Sequence, residues 1–296
     1  MTNPREKFVR QPLDSKAFLR TPAETLRERE IRGEIPVIIE YKDIIGKEFI
    51  AIGLPHTLDL RSLNSYKDIF NEKHPGIMLV ESGVLLVEGS PLPEIDPSEK
   101  PQDIVEKYGE QVYFAWLAKK AGIPIEYWDF DFKDKVKVAI ENHEVNDVLG
   151  WLMGAALKVF FENRKHSMEK TNEIDKISDK EVGQLKSVFL RHITPELIQY
   201  VLKEKGVDIS FIDFDVLAIA YCGKSLREMT FGDVVRISDP YIEGRTNNVV
   251  RDLDKSRNEY AISTIERLKS QYKTILATAG LDHIITWELA LKEIYK

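Results

Sequence analysis

Among 296 residues there is one cysteine, Cys222. A single thiol excludes an intramolecular disulfide and a thiolate cluster for zinc, and its apolar neighbours predict a buried, inert side chain in a reducing compartment. Also missing is any run of about 18 or more apolar residues, the length a membrane-spanning helix needs. Residues 1–36 are polar and charged and lack the apolar centre of an export signal. Nor is there an excess of positive charge: 42 Lys and Arg stand against 49 Asp and Glu, for a net charge of -7. That balance opposes non-specific attraction to nucleic acid and to anionic membrane. These absences predict a soluble, unexported, cytoplasmic protein with neither nucleic acid nor membrane as a partner. No low-complexity tract or tandem repeat is present.

What the sequence does contain is one short pattern written twice. Phe49-Ile50-Ala51-Ile52 leads into Gly53-Leu54-Pro55-His56, and Thr274-Ile275-Leu276-Ala277-Thr278-Ala279 leads into Gly280-Leu281-Asp282-His283. A buried strand carries the chain to one edge of a sheet, Gly permits a sharp turn, and the imidazole is left facing the space beyond. Two further apolar runs end on acid: Gly76 to Val80 stops at Glu81-Ser82-Gly83, and Pro124 to Trp128 stops at Asp129. If the four strands are parallel neighbours, their carboxyl ends gather His56, Glu81, Asp129 and His283 around one crevice, the place where α/β sheets bind ligands. Polar residues at strand ends are common because loops lie on the surface, so any one of the four alone is expected to be inert. Their coincidence is what marks a site.

The rest of the chain reads as an α/β protein with a mixed, mainly parallel central sheet flanked by helices and carrying a helical insertion. Residues 1–34 form a polar arm, with Thr21-Pro22 able to start a short helix, and residues 35–296 form a single domain. Pro36 to Tyr41 and Phe49 to Ile52 flank Gly46-Lys47 and predict a hairpin. Leu58 to Phe70 and Ile104 to Ala121 carry apolar residues at helical spacing, each followed by a strand, which is βαβ organisation. Residues 134 to about 235 read as helices only: Val145 to Arg164, Asp179 to Leu190, Pro195 to Lys205 and Phe214 to Met229. Such an insert is placed to cap the ligand edge of the sheet. A long helix from about Asn247 to Tyr272 returns the chain to the strand Thr274 to Ala279, and Trp287 to Tyr295 closes it as a helix.

With these motifs in order, the chain resembles the superfamily that unites the TraB and PrgY pheromone-shutdown proteins, the Tiki peptidases, the ChaN-like haem-binding proteins and the erythromycin esterase-like enzymes. Gly53-x-x-His56, Glu81-x-Gly83, Asp129 after a strand, Arg257-Asn258 in a late helix and Gly280-x-x-His283 carry the resemblance. It covers roughly residues 49–131 and 247–285 and leaves the central helices unassigned. Relatives often have an acidic or hydroxyl residue just after the first Gly, where this chain has Leu54 and then Pro55, so one polar group of the pocket is expected to be missing.

The Tiki branch implies a metal-dependent, peptidase-like hydrolase, with His56, Glu81 and His283 as ligands of a divalent manganese, cobalt, zinc or iron ion. Asp129 is then a further ligand or the partner that orients a ligand imidazole. Arg257, beside Asn258 and after Arg251, would present donors to a carboxylate, a phosphate or a developing oxyanion; the structural alternative pairs it with Asp254 or Glu259. The erythromycin esterase-like branch implies a metal-independent hydrolase in which His56 is a general base held by Glu81. The ChaN-like branch implies a non-catalytic protein for haem or another small ligand, lined by Trp151, Met153, Phe160 and Phe161, side chains that at helical spacing are as readily plain core. The substrate in the first two readings is a peptide, ester or other small molecule.

Other signals carry less. Cys222-Gly223-Lys224-Ser225 looks like the end of a phosphate loop, but Ala218 stands where the earlier Gly is required and no strand precedes it. His143-Glu144-x-x-Asp147 departs from a zinc-protease helix at its last residue and predicts a solvated helix face. His74, His166 and His192 are expected to touch water.

Overall fold

Two apolar runs around Asp43-Ile44-Ile45-Gly46-Lys47 make the predicted hairpin, β1 (Ile38–Lys42) pairing antiparallel with β2 (Glu48–Leu54). Gly46 takes the left-handed conformation that the turn requires, at φ 80°. The computed structural model describes residues 38–54, 60–81, 96–108, 110–129, 132–167, 183–184, 202–207, 213–240 and 242–296. The polar arm at 1–34 and His192 lie outside these residues. So do the expected helices Asp179 to Leu190 and Pro195 to Lys205, apart from a few positions.

Strand and helix then alternate: α1 (Leu60–Lys73), β3 (Ile77–Val80), α2 (Pro101–Tyr108), α3 (Glu110–Lys120) and β4 (Ile125–Tyr127). The helix expected at 104–121 is described as α2 and α3, and position 109 between them lies outside the described residues. Next come α4 (Phe132–Asn142), α5 (Val145–Ser167), α6 (Phe214–Cys222), a 3-10 turn at Leu226–Glu228, α7 (Phe231–Ser238) and α8 (Arg245–Gln271). Then β5 (Thr274–Gly280) runs directly into α9 (Leu281–Ile294), which begins six residues before the expected Trp287. His74, exposed after α1, closes the last turn by donating its N–H to the Phe70 carbonyl (3.3 Å).

The sheet order is β1-β2-β5-β3-β4, and every pair except β1–β2 is parallel. This is the α/β fold with a mixed, mainly parallel sheet. Phe49, Leu79, Ile275 and Ala277 face Ile262 and Ile265 of α8 and Ile284 and Leu291 of α9. The alternate residues Ile50, Met78, Val80 and Leu276 point the other way and are equally buried. Burial on both faces explains why the strands read as continuous apolar runs.

The described residues divide into two compact units. Residues 38–81, 96–129 and 258–296 make the sheet unit. Residues 132–257 make a helical unit, reaching past the insert expected at about 134–235 into the first half of α8. Leu149, Leu152, Met153, Ala156 and Leu157 on α5 build its core with α6 and α7. Cys222 lies in that core, and burial, then Asp233, pushes its thiol up to about 11. Gly223, at φ 69°, stops α6 by donating to the Ile219 carbonyl, and Lys224 gives its ammonium to Asp233 at 2.8 and 2.9 Å. The Cys-Gly-Lys-Ser segment is therefore a helix stop.

The solvated face expected at His143 and Asp147 is corrected. His143 Nε2 lies 3.1 Å from Asp252 Oδ2. Asp147 is buried and takes the Tyr221 hydroxyl and the Arg245 guanidinium, each at 2.8 Å. These groups join α5, α6 and α8 within the helical unit.

Among the described residues no helix is long and apolar enough to cross a membrane.

Packing around Gly150 leaves no room for a methyl group, because a Cβ there would fall 2.6 Å from the Tyr221 ring and 2.8 Å from Thr246 Cγ2. Gly150→Ala is expected to lower the unfolding free energy by about 1–3 kcal/mol in chemical denaturation. Gly154→Ala, whose nearest neighbours are the flexible end of Ile237 and the Ser238 hydroxyl, both at 3.3 Å, should cost clearly less. Cys222 should stay unalkylated by iodoacetamide at neutral pH until the protein is unfolded.

Candidate functional site

Because β2, β5, β3 and β4 are parallel neighbours, their carboxyl ends lie along one edge. Glu81 directly follows β3, Asp129 closely follows β4 and His283 stands in the first turn of α9 after β5. His56, two residues past β2, lies outside the described residues.

Each described residue is held differently. Glu81 Oε2 accepts the N–H of Gly280 at 3.2 Å, which ties the end of β3 to the start of α9. Gly280 is the N-cap of α9 and has no side chain to cap it, so the carboxylate stands where the helix dipole favours negative charge. Asp129 is buried and follows Trp128, whose indole N–H donates to the Thr278 carbonyl at 3.0 Å. His283 packs edge-on against Trp128, ring centroids 5.1 Å apart, with Trp287 at 6.5 Å.

The residue that organises the imidazole is Asn258. Its Oδ1 lies 2.8 Å from Trp287 Nε1 and 2.8 Å from His283 Nδ1. An indole nitrogen can only donate, so the amide atom facing it is the oxygen. The same oxygen must then accept from Nδ1, which puts the proton of the neutral imidazole on Nδ1 and the lone pair on Nε2. A nitrogen in that state can take a proton or bind a metal.

In the sequence Asn258 is marked only as the neighbour of Arg257. It is a buried acceptor, because it continues the apolar stripe of Ala261, Ile262 and Ile265 and so points into the sheet unit. A polar residue on that stripe was the available signal. Trp128 and Trp287, the walls of the imidazole, were read only as strand and helix residues.

Arg257 makes an i, i+3 ion pair with Asp254 at 3.0 Å, one of the two structural pairings foreseen for it. Arg251 donates to the carbonyls of Pro240 (2.9 Å) and Ile242 (3.2 Å) and braces the turn before α8. Met153 and Phe161 are buried in the core of the helical unit, and Trp151 and Phe160 pack against it.

Among the described residues no group of three or more His, Cys, Asp and Glu side chains is placed to hold a metal ion. Glu81, Asp129 and His283 do not complete a metal centre by themselves, and the expected ligand set draws on His56 as well. No family model matches this chain, and neither a curated protein nor a solved structure matches it.

Removing the acceptor tests the arrangement. Asn258→Leu leaves the buried Trp287 N–H without its acceptor and should destabilise the fold by about 1–3 kcal/mol, with a smaller loss from the half-buried His283 bond. Asn258→Asp keeps both bonds and should raise the pKa of His283, since a carboxylate favours the imidazolium. Ring nitrogen shifts of His283 measured by NMR should show Nδ1 protonated in the wild type at high pH; a proton on Nε2 would refute the assignment.

Proposed function

We propose that this chain is a hydrolase acting on a peptide, an ester or another small carbonyl substrate, with His283 as its working imidazole. The observation that carries the reading is the pair of hydrogen bonds to Asn258, which orients the ring and leaves the Nε2 lone pair as its basic position. An imidazole so oriented acts as a general base: Nε2 takes a proton from water as the oxygen attacks the carbonyl carbon. Asn258 stabilises the imidazolium through the Nδ1–H bond and returns the ring to the same geometry for the next cycle. The Trp128 and Trp287 rings limit its rotation.

A metal-assisted version uses the same nitrogen. The outer hydrogen bond from Nδ1 is the support that a metal-bound imidazole needs, and this favours His283 as a ligand with Glu81 and His56. A divalent manganese, iron, cobalt or zinc ion would supply Lewis acidity to water and carbonyl.

His283→Ala should lower turnover of an ester and peptide panel by at least about 100-fold while the thermal midpoint changes little. A His56→Ala/His283→Ala variant with wild-type activity would sink the reading. Elemental analysis of protein purified without chelator or His tag separates the two versions. Near-stoichiometric metal that disappears in the double variant supports the metal-assisted route; activity without metal, unchanged by added ions, supports the general base.

A further inference from the structure

The amino edge of the same sheet carries a feature that the fold does not need. At the tip of the β1–β2 hairpin Ile44 is 94% exposed and Ile45 73% exposed, the two most exposed large apolar side chains among the described residues. Scattered surface isoleucines are ordinary, but two in succession at a tip are not explained by packing.

The turn is firmly built. Asp43 Oδ1 accepts from Ile45 N–H at 3.1 Å and Lys47 N–H at 2.8 Å, and Lys269 reaches its other oxygen at 2.8 Å. The Lys269 contact, outweighing the opposing effect of burial, holds the Asp43 carboxyl below its usual range, so at neutral pH the turn keeps its anchor. Lys47 caps the end of α8 by donating to the carbonyls of Lys269 and Ser270. A fixed scaffold therefore presents the two isoleucines to solvent.

Charge distinguishes the two edges. Among the described residues Lys42, Lys47 and Lys273 stand around the tip with no carboxylate partner, whereas Asp43 is taken by Lys269, and Glu40 and Glu48 share Lys73. At the carboxyl edge stand Glu81, Asp129 and Asp282. Among the described residues, of these two edges it is the amino edge that presents lysines to a negative surface. The chain-wide charge of -7 argues against such contact in bulk, but attraction to a charged surface falls off within a Debye length of about 8–10 Å, so the lysines nearest the surface decide it.

We propose that this hairpin edge docks peripherally on an anionic lipid bilayer, with Ile44 and Ile45 entering the headgroup region and Lys42, Lys47 and Lys273 meeting the lipid charge. Apolar insertion and basic attraction are the two signals that peripheral binding combines. The proposal is independent of any hydrolase activity.

Flotation of the full chain with phosphatidylcholine vesicles, with and without phosphatidylserine, tests it. Wild-type protein should float with the phosphatidylserine vesicles and bind them less as salt is raised. Ile44→Asp/Ile45→Asp and Lys42→Glu/Lys273→Glu should each weaken binding at least about tenfold. Their circular dichroism should match the wild type, since these side chains are exposed. Ile45→Cys carrying an environment-sensitive dye should shift to the blue on vesicle addition. No flotation with either vesicle, or undiminished flotation of the double-aspartate variant, overturns the proposal. Concentration-dependent dimerisation lost in that variant, without vesicle binding, also overturns it and assigns the tip to a second copy of the chain.

Discussion

Everything in the sheet unit depends on β5 being paired on both sides. Its seven residues are all buried, and their backbone N–H and C=O groups have no water to turn to. Parallel pairing with β2 on one side and β3 on the other satisfies them. That pairing brings a segment from the end of the chain between two from its first third, and it fixes where Gly280 and His283 emerge relative to Glu81. The N–H of Gly280, the last residue of β5, goes to the Glu81 carboxylate. The site thus begins where the ladder ends.

Asn258 extends the same logic from backbone to side chain. Sealing α8 and α9 against the sheet buries the Trp287 indole N–H in a mainly apolar layer beside the half-buried His283 imidazole, and the indole needs a partner there. One amide oxygen serves both. The geometry is more restrictive than two separate bonds would be, because the indole decides which end of the amide faces inward, and the amide then decides which imidazole nitrogen is protonated. A structural demand, satisfying a buried tryptophan, sets the chemical state of a histidine.

Much of this fold is legible in the string. Apolar runs buried on both faces, separated by helical periodicity, give β2, β3, β5, α1 and α8 within a few residues, and the Gly-containing turn gives the hairpin. The strand order, which makes neighbours of His283 and Glu81, was available only as a condition, since periodicity shows a strand's burial and not its partner. Asn258 received no role of its own because its neighbour Arg257 drew attention as a charged donor, while the amide's own position on the stripe with Ala261, Ile262 and Ile265 carried the information. His143 and Asp147 were misjudged for a related reason: their partners come from α6 and α8, elements remote in sequence that no local pattern describes.

A largely parallel sheet gives its two edges different materials. At the carboxyl edge Glu81 and Asp129 follow their strands and His283 stands in the first turn of α9. At the amino edge helices and loops return to begin strands, and the groups present serve to close them: Lys47 on the end of α8, and Lys269 reaching the Ile294 carbonyl and Asp43. Capping helix ends with lysine makes that edge basic as a consequence of folding, since cations are favoured where helix carbonyls are exposed. Isoleucine at positions 44 and 45 is not such a consequence. The turn needs only Asp43 and Gly46, and polar residues would serve it equally well. The pair of isoleucines is therefore the part of the amino edge that packing leaves unexplained.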